Sequence, residues 1–208
     1  MQILIFGATG SLGSHIVEQA LEKGYSVKAF TRNPEKLGVF NNSHLTTIQG
    51  DVNNLSEVES AMKDVDAVFC ALGDGAKGKV RAAGTHNIIK AMKKSGVKRL
   101  ICQTTLGVGD SWNNLNFFWK YVMFGFLLKK AFQDHQLQEK YILKSGLDYT
   151  IVRPGAFTNG AVTRNFQIDF GAHAKNLALK ISRADIAFFM LEQLTSQKFV
   201  GRVVSISN

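Results

Sequence analysis

The sequence predicts an α/β fold, a doubly wound parallel sheet with a small C-terminal substrate-side region. Three observations carry that expectation. Short, nearly continuous apolar runs alternate with longer amphipathic stretches, as strands buried on both faces alternate with the helices that cover them. A Gly-x-x-Gly-x-x-Gly segment, Gly7 to Gly13, joins the first apolar run to the first amphipathic one. The 208 residues are 45% hydrophobic, enough for a substantial core, yet no apolar stretch reaches the roughly 18 residues that would span a bilayer.

In chain order, strands are expected at Ile3–Phe6, Tyr25–Phe30, Leu45–Ile48, Ala67–Ala71, Arg99–Cys102, Tyr149–Val152 and Arg202–Ile206. Each is short and rich in β-branched or aromatic residues. Between them, helices are expected over Leu12–Lys23, Leu55–Met62, Val80–Lys94, Phe117–Lys144 and Ile186–Leu194. No internal repeat, low-complexity tract or Pro-rich linker divides the chain, so residues 1–208 are read as one domain.

Composition excludes a disordered chain, a collagen-like fibre and a disulfide scaffold. Only four apolar residues follow Met1-Gln2 before Gly7, too few for a signal-peptide core. Cys70 and Cys102 sit in or beside apolar runs and read as buried, reduced thiols of a cytoplasmic protein. They lie far apart in sequence with no histidine at ligand spacing, so no metal site is expected. The formal net charge of +9 calls for an anionic partner, and composition alone does not choose among nucleic acid, membrane surface and phosphorylated small molecule.

Position does choose. Gly7-Ala8-Thr9-Gly10-Ser11-Leu12-Gly13 stands between a strand and a helix, where glycines allow a tight turn, close approach to a pyrophosphate and close helix–strand packing. The following helix aims its free N–H groups and positive end at the phosphates. Gly7, Thr9, Gly10, Ser11, Leu12 and Gly13 are therefore candidate cofactor-binding residues. The motif, with Gly50-Asp51-Val52, Ala71-Leu72-Gly73 and Ser145-Gly146-Leu147-Asp148-Tyr149-Thr150-Ile151-Val152-Arg153-Pro154-Gly155, resembles the short-chain dehydrogenase/reductase superfamily, specifically its atypical, NmrA-like and flavin-reductase-like branch. The resemblance implies a Rossmann-type, NAD(P)-binding domain. It implies that Asp51 and Val52 contact the adenine, that Ala71, Leu72 and Gly73 border the ribose and nicotinamide side, and that Pro154 lies near the nicotinamide.

The second strand ends Phe30-Thr31-Arg32-Asn33-Pro34-Glu35-Lys36, without the acidic residue that binds a ribose 2′-hydroxyl in NAD enzymes. A guanidinium at Arg32 and an ammonium at Lys36 suit a 2′-phosphate, so NADP(H) is expected over NAD(H). The alternative is an exposed basic loop partly neutralised by Glu35.

None of the four tyrosines begins a Tyr-x-x-x-Lys pair, the pair that conventional short-chain dehydrogenases use in carbonyl–alcohol chemistry. Asp134-His135, ahead of Ser145-Gly146-Leu147, is similar to biliverdin-IX-beta/flavin reductases, which implies His135 near the nicotinamide. The same resemblance puts Thr105 in place of a common serine, beside Thr104 as a further cofactor residue, and Ala156 in place of a second histidine. His135 and Thr105 are thus the candidate catalytic residues; an imidazole titrating near neutrality could tune the site. His15, His44, His86 and His173 have no motif context. Such a site suits hydride transfer to a planar conjugated acceptor, a flavin, quinone or tetrapyrrole. The alternatives are a non-catalytic NADP-sensing NmrA-like regulator and a sugar-nucleotide epimerase-like enzyme.

Two stretches stay open. Trp112 to Leu128 holds both tryptophans and four phenylalanines, and could be an acceptor pocket, a core helix, or a membrane-surface or partner contact through Phe117–Leu128. Lys77, Lys79 and Arg81 are expected to be solvated; the alternative is a loop that faces the cofactor cleft and attracts an acidic substrate or the pyrophosphate. The expected partner is a small-molecule substrate acting on a monomer or weak dimer. Nucleic acid is disfavoured, since no recognition motif accompanies the aromatics.

Overall fold

β1 (Gln2–Phe6) shows at once why the sheet is doubly covered. Ile3 and Ile5 join one apolar cluster, while Leu4 and Phe6 join another on the opposite face, as the period-2 alternation of a strand requires. The computed structural model describes residues 1–171, 174 and 177–208; His173 lies outside them. After β1 come α1 (Gly13–Glu22), β2 (Ser26–Thr31), β3 (Leu45–Gln49), α2 (Leu55–Ala61), β4 (Ala67–Cys70), α3 (Arg81–Ser95) and β5 (Arg99–Gln103). The second half holds α4 (Lys129–Leu143), β6 (Asp148–Pro154), β7 (Ala156–Thr158), β8 (Gln167–Ile168), β9 (Lys180–Ser182), α5 (Arg183–Glu192) and β10 (Arg202–Ser207).

The main sheet runs β3-β2-β1-β4-β5-β6-β10-β8, parallel except for β8 at the edge. α1 and α5 pack together on one face; α2, α3 and α4 line the other. Strand order reverses between β1 and β4, where the loops beyond their carboxyl ends part to open a crevice. The α/β, Rossmann-type expectation is met, and all seven expected strands are present within a few residues of their expected ends.

Three differences have physical causes. Phe117–Lys144 is not one helix. Residues 118–127 form a wide helical segment, with Leu128 N–H donating to the Met123 carbonyl at 2.6 Å, five residues back. The chain breaks at Leu128 before α4 starts. A run of aromatic and β-branched residues around Gly125 is poor α-helix material. α5 begins three residues before the expected Ile186, because Ser182 caps it by accepting from the Asp185 N–H at 3.0 Å. Finally, β7, β8 and β9 were not expected: at two or three residues each, they are too short to show a period. β7 and β9 form a separate parallel pair beside the main sheet. Among the described residues, no helix is long and apolar enough to cross a membrane.

Candidate functional site

The crevice at the β1/β4 reversal is a cleft of about 760 Å³. One wall is the glycine turn. Gly7 has φ +81°, and a Cβ there would lie 2.4 Å from the Ala71 carbonyl oxygen, so the turn and the β4 loop touch backbone to backbone. The Gly10 N–H donates to the Gly7 carbonyl at 2.9 Å and closes the turn. Thr9, Gly10, Ser11 and Leu12 line the cleft, whereas Gly13 does not. Gly13 packs behind it: a Cβ there would sit 2.0 Å from the Gly7 oxygen. The N-terminus of α1 has no side-chain cap and no acid in its first turn, which leaves its positive end to an anion.

Arg32 and Lys36 stand exposed at the rim of the cleft beyond β2. Among the described residues neither forms an ion pair, and Glu35 does not neutralise them. Thr31 ties this rim to the turn, meeting the Thr9 hydroxyl at 3.0 Å and accepting from the Asn33 N–H at 3.1 Å. Asp51 and Val52, which follow β3, and Ala71, Leu72 and Gly73, which follow β4, also line the cleft. One Asp51 carboxylate oxygen is occupied by an Asn53 turn at 2.9 Å.

The far end is lined by Thr104, Thr105, His135 and Pro154, with Leu115, Trp119, Phe124, Leu128 and Phe157 as apolar walls. Thr104 is fully buried and spends its hydroxyl proton on Glu139 at 2.7 Å. Thr105 makes only a 3.3 Å contact from its hydroxyl to the Leu106 carbonyl. Asp134 and His135 do not act as a pair. Asp134 accepts from the backbone N–H groups of Arg81 and Ala82 at 3.0 and 2.9 Å, capping α3 from outside.

The NAD(P)H-binding protein family matches residues 7–197 of this chain. The chain belongs to it. An uncharacterized chloroplastic protein of Arabidopsis thaliana is 32% identical over 99% of this chain and 76% of its own length. The solved structure of an oxidoreductase from Lactococcus lactis superposes with TM-score 0.84 at 26% identity, covering 100% of this chain and 91% of that one. An anaerobilin reductase from Escherichia coli O157:H7 gives TM-score 0.82 at 26% identity, covering 99% and 96%. The resemblance to atypical short-chain dehydrogenase/reductase and NmrA-like proteins is thereby supported.

In this NAD(P)H-binding chain His135 has a defined protonation state. Its Nδ1 lies 3.1 Å from the Gln138 Oε1. The Gln138 Nε2 donates to Thr85 Oγ1 at 3.0 Å and to Cys102 Sγ at 3.4 Å. In this orientation the amide oxygen faces the imidazole, which assigns the proton to Nδ1 and leaves Nε2 a lone pair. Burial, with the Arg81 charge adding to it, holds the His135 pKa down to about 3. Its ring is therefore neutral at pH 7, and the expectation of titration near neutrality is corrected.

A stability prediction follows. An unfolded histidine binds a proton below its ordinary 6.5 while the folded one does not until about 3, so stability falls as pH drops through that window. The slope approaches about 1.4 kcal/mol per pH unit. Urea melts between pH 7 and 4 should show a shallower decline for His135→Gln than for wild type. Parallel curves would refute the assignment.

Several groups at the site lay beyond sequence reasoning. Arg81, expected to be solvated, is buried, lines the cleft, and pairs with Asp74 at 2.6 Å. Burial is tolerable because Asp74 and Asp134 flank the guanidinium; its Nε has no hydrogen-bond partner among the described residues. Beneath the site, Arg153 grips Glu139 with two bonds of 2.9 and 2.6 Å and reaches Asp110 at 2.6 Å. The one available sequence signal was the polar spacing of Asp134, His135, Gln138 and Glu139 on α4, all buried.

Proposed function

We propose that the protein is an NADP(H)-dependent reductase that passes hydride to a small planar conjugated acceptor, such as a flavin, quinone or tetrapyrrole. The observation that carries this reading is one continuous cleft with two chemically different ends. A glycine turn, an open helix N-terminus and two unpaired cations lie at one end, and Leu115, Trp119, Phe124 and Phe157 at the other. The site residues fit the dinucleotide: Gly7 lets the turn pass backbone to backbone against Ala71, and the α1 N-terminus beside it carries no side-chain cap. Gly7 to Leu12 would hold the pyrophosphate, Asp51 to Val52 the adenine, and Ala71 to Gly73 the ribose side. Arg32 and Lys36 would take the 2′-phosphate, which favours NADP(H) over NAD(H).

When bound, the dinucleotide supplies the hydride; the protein's task is to orient it and shed water. Thr104, Thr105 and Pro154 would frame the nicotinamide end. His135, as a neutral acceptor, would take a hydrogen bond from an N–H or O–H rather than deliver a proton. The apolar walls would sandwich a flat ring. Protonation of the reduced acceptor would come from water, consistent with the absence of Tyr-x-x-x-Lys from the sequence. The likeness to an anaerobilin reductase supports a tetrapyrrole-sized acceptor. The whole chain would act as one nucleotide-binding domain in the cytoplasm, where the free thiols Cys70 and Cys102 stay reduced.

The test is NADPH oxidation, followed by absorbance, with a free flavin, a quinone and a linear tetrapyrrole offered in turn. Turnover with at least one is expected. Tight NADPH binding without turnover on any would favour the NADP-sensing regulator instead. In the same assay format, Arg32→Ala should weaken NADPH roughly 10- to 100-fold, the loss of one charge-assisted contact, while leaving NADH unchanged. An equal loss for both dinucleotides would remove Arg32 from the 2′-phosphate.

A further inference from the structure

The wide helix from Phe118 to Leu127 has two faces with different fates. Trp119 and Phe124 turn inward and wall the cleft; Phe124 stacks on Phe132 of α4 at 4.5 Å between ring centroids. The outward side leaves Phe117 74% and Phe126 79% exposed, with Phe118, Tyr121, Val122 and Leu127 also open to solvent. Among the described residues, six of the twelve exposed large apolar side chains fall between Phe117 and Leu127, so they form a patch rather than a scatter.

Charge selects the occupant. Lys120 lies within the patch and Lys129 and Lys130 adjoin it, while no acidic residue occurs from Ser111 to Gln133. An aromatic-rich, acid-free helix fringed by lysines matches the boundary between acyl chains and anionic headgroups. A second copy of this chain fits poorly: a twofold contact would bring both sets of lysines together on chains that each carry +9.

We propose that this helix docks the protein on an anionic lipid surface. Phe117, Phe118, Tyr121, Phe126 and Leu127 enter the acyl boundary, and Lys120, Lys129 and Lys130 meet the headgroups. The same helix walls the apolar end of the cleft, so docking sets that end against the lipid. The docking does not rest on the reductase reading and is measured without any dinucleotide.

The experiment is co-sedimentation of the whole protein with vesicles of phosphatidylcholine alone and of phosphatidylcholine mixed with phosphatidylglycerol. Wild type should bind the mixed vesicles, and added salt should weaken that binding. Phe117→Ser/Phe126→Ser should lower partitioning at least about tenfold, since each ring loses its burial. Lys129→Gln/Lys130→Gln should lower it about fivefold per lysine, on the anionic vesicles only. All four positions are exposed, so circular dichroism and melting temperature should match wild type. The proposal is overturned if wild type stays in the supernatant with anionic vesicles, or if the phenylalanine variant sediments as wild type does. It is also overturned if light scattering finds a dimer that the same variant dissociates, because the patch is then a self-interface.

Discussion

Gly13→Ala is expected to weaken NADPH binding roughly 100-fold and to lower the melting temperature. Two effects compete. Alanine inside a helix is worth about 1 kcal/mol over glycine, which would stabilise α1. Against that, the new Cβ would stand 2.0 Å from the Gly7 oxygen and 2.7 Å from its carbonyl carbon. Both are backbone atoms that no rotamer can move aside. Relief requires α1 to slide away from β1, and overpacking of this kind typically loses 1–3 kcal/mol. Because the Gly7 carbonyl also accepts the Gly10 N–H, a displaced Gly7 opens the whole turn. The positive end of α1 then no longer meets the phosphates. Gly24→Ala is the control. Gly24, unlike Gly13, has positive φ, +77°, and nothing lies within 4 Å of its would-be Cβ. That change should lose about 1 kcal/mol of stability and leave dinucleotide affinity alone. Fluorescence titration with NADPH and thermal melts measure both. Wild-type affinity in Gly13→Ala would mean the turn is not the phosphate cradle.

The contrast between these glycines shows what a sequence carries. Spacing marks Gly7, Gly10 and Gly13 as a unit, because the turn, the close approach and the packing are local demands. The parallel strands are legible for the same reason: each carries its own apolar run. The site's electrostatics were not legible. Arg81 stands in a stretch with Lys77 and Lys79, and nothing nearby distinguishes it from them. Its guanidinium is compensated by Asp74 at 2.6 Å and flanked at 3.7 Å by Asp134, which α4 supplies from 53 positions away. Likewise, His135 was found through a resemblance, but its neutral state comes from burial and the Arg81 charge, and its partner Gln138 is held by Thr85 and Cys102 from other elements. The aromatic stretch fits no single label because Trp119 and Phe124 serve the cleft while Phe117, Phe118, Tyr121 and Phe126 serve the surface. The +9 charge is partly absorbed by unpaired Arg32 and Lys36 at the cleft, and partly by the lysines around the exposed aromatic face.

Glu139→Met is expected to destabilise the fold by about 3–5 kcal/mol, the range found when one member of a buried ion pair is removed. Glu139 and Arg153 are both buried, and the guanidinium grips the carboxylate in a fork of 2.9 and 2.6 Å. Thr104 donates to the same carboxylate at 2.7 Å. Without Glu139, the Arg153 charge keeps, among the described residues, only Asp110, whose side chain is 87% exposed. An exposed partner contributes at most about 1 kcal/mol, far below the desolvation it would have to offset. Arg153→Met should be similarly harmful, since it strands the carboxylate and the Thr104 hydroxyl. The double variant separates charge from shape. Two methionines fill comparable volume without an unpaired ion, so Glu139→Met/Arg153→Met should recover most of the loss. Urea denaturation of the four proteins gives the coupling energy directly. Additive losses would mean that the two groups act independently, and a single-variant loss below about 1 kcal/mol would mean that solvent reaches the pair. The pair ties α4 to β6, the elements that carry His135 and Pro154. If NADPH affinity in the double variant drops while stability recovers, the ionic fork serves to hold the far end of the cleft in register rather than to hold the fold together.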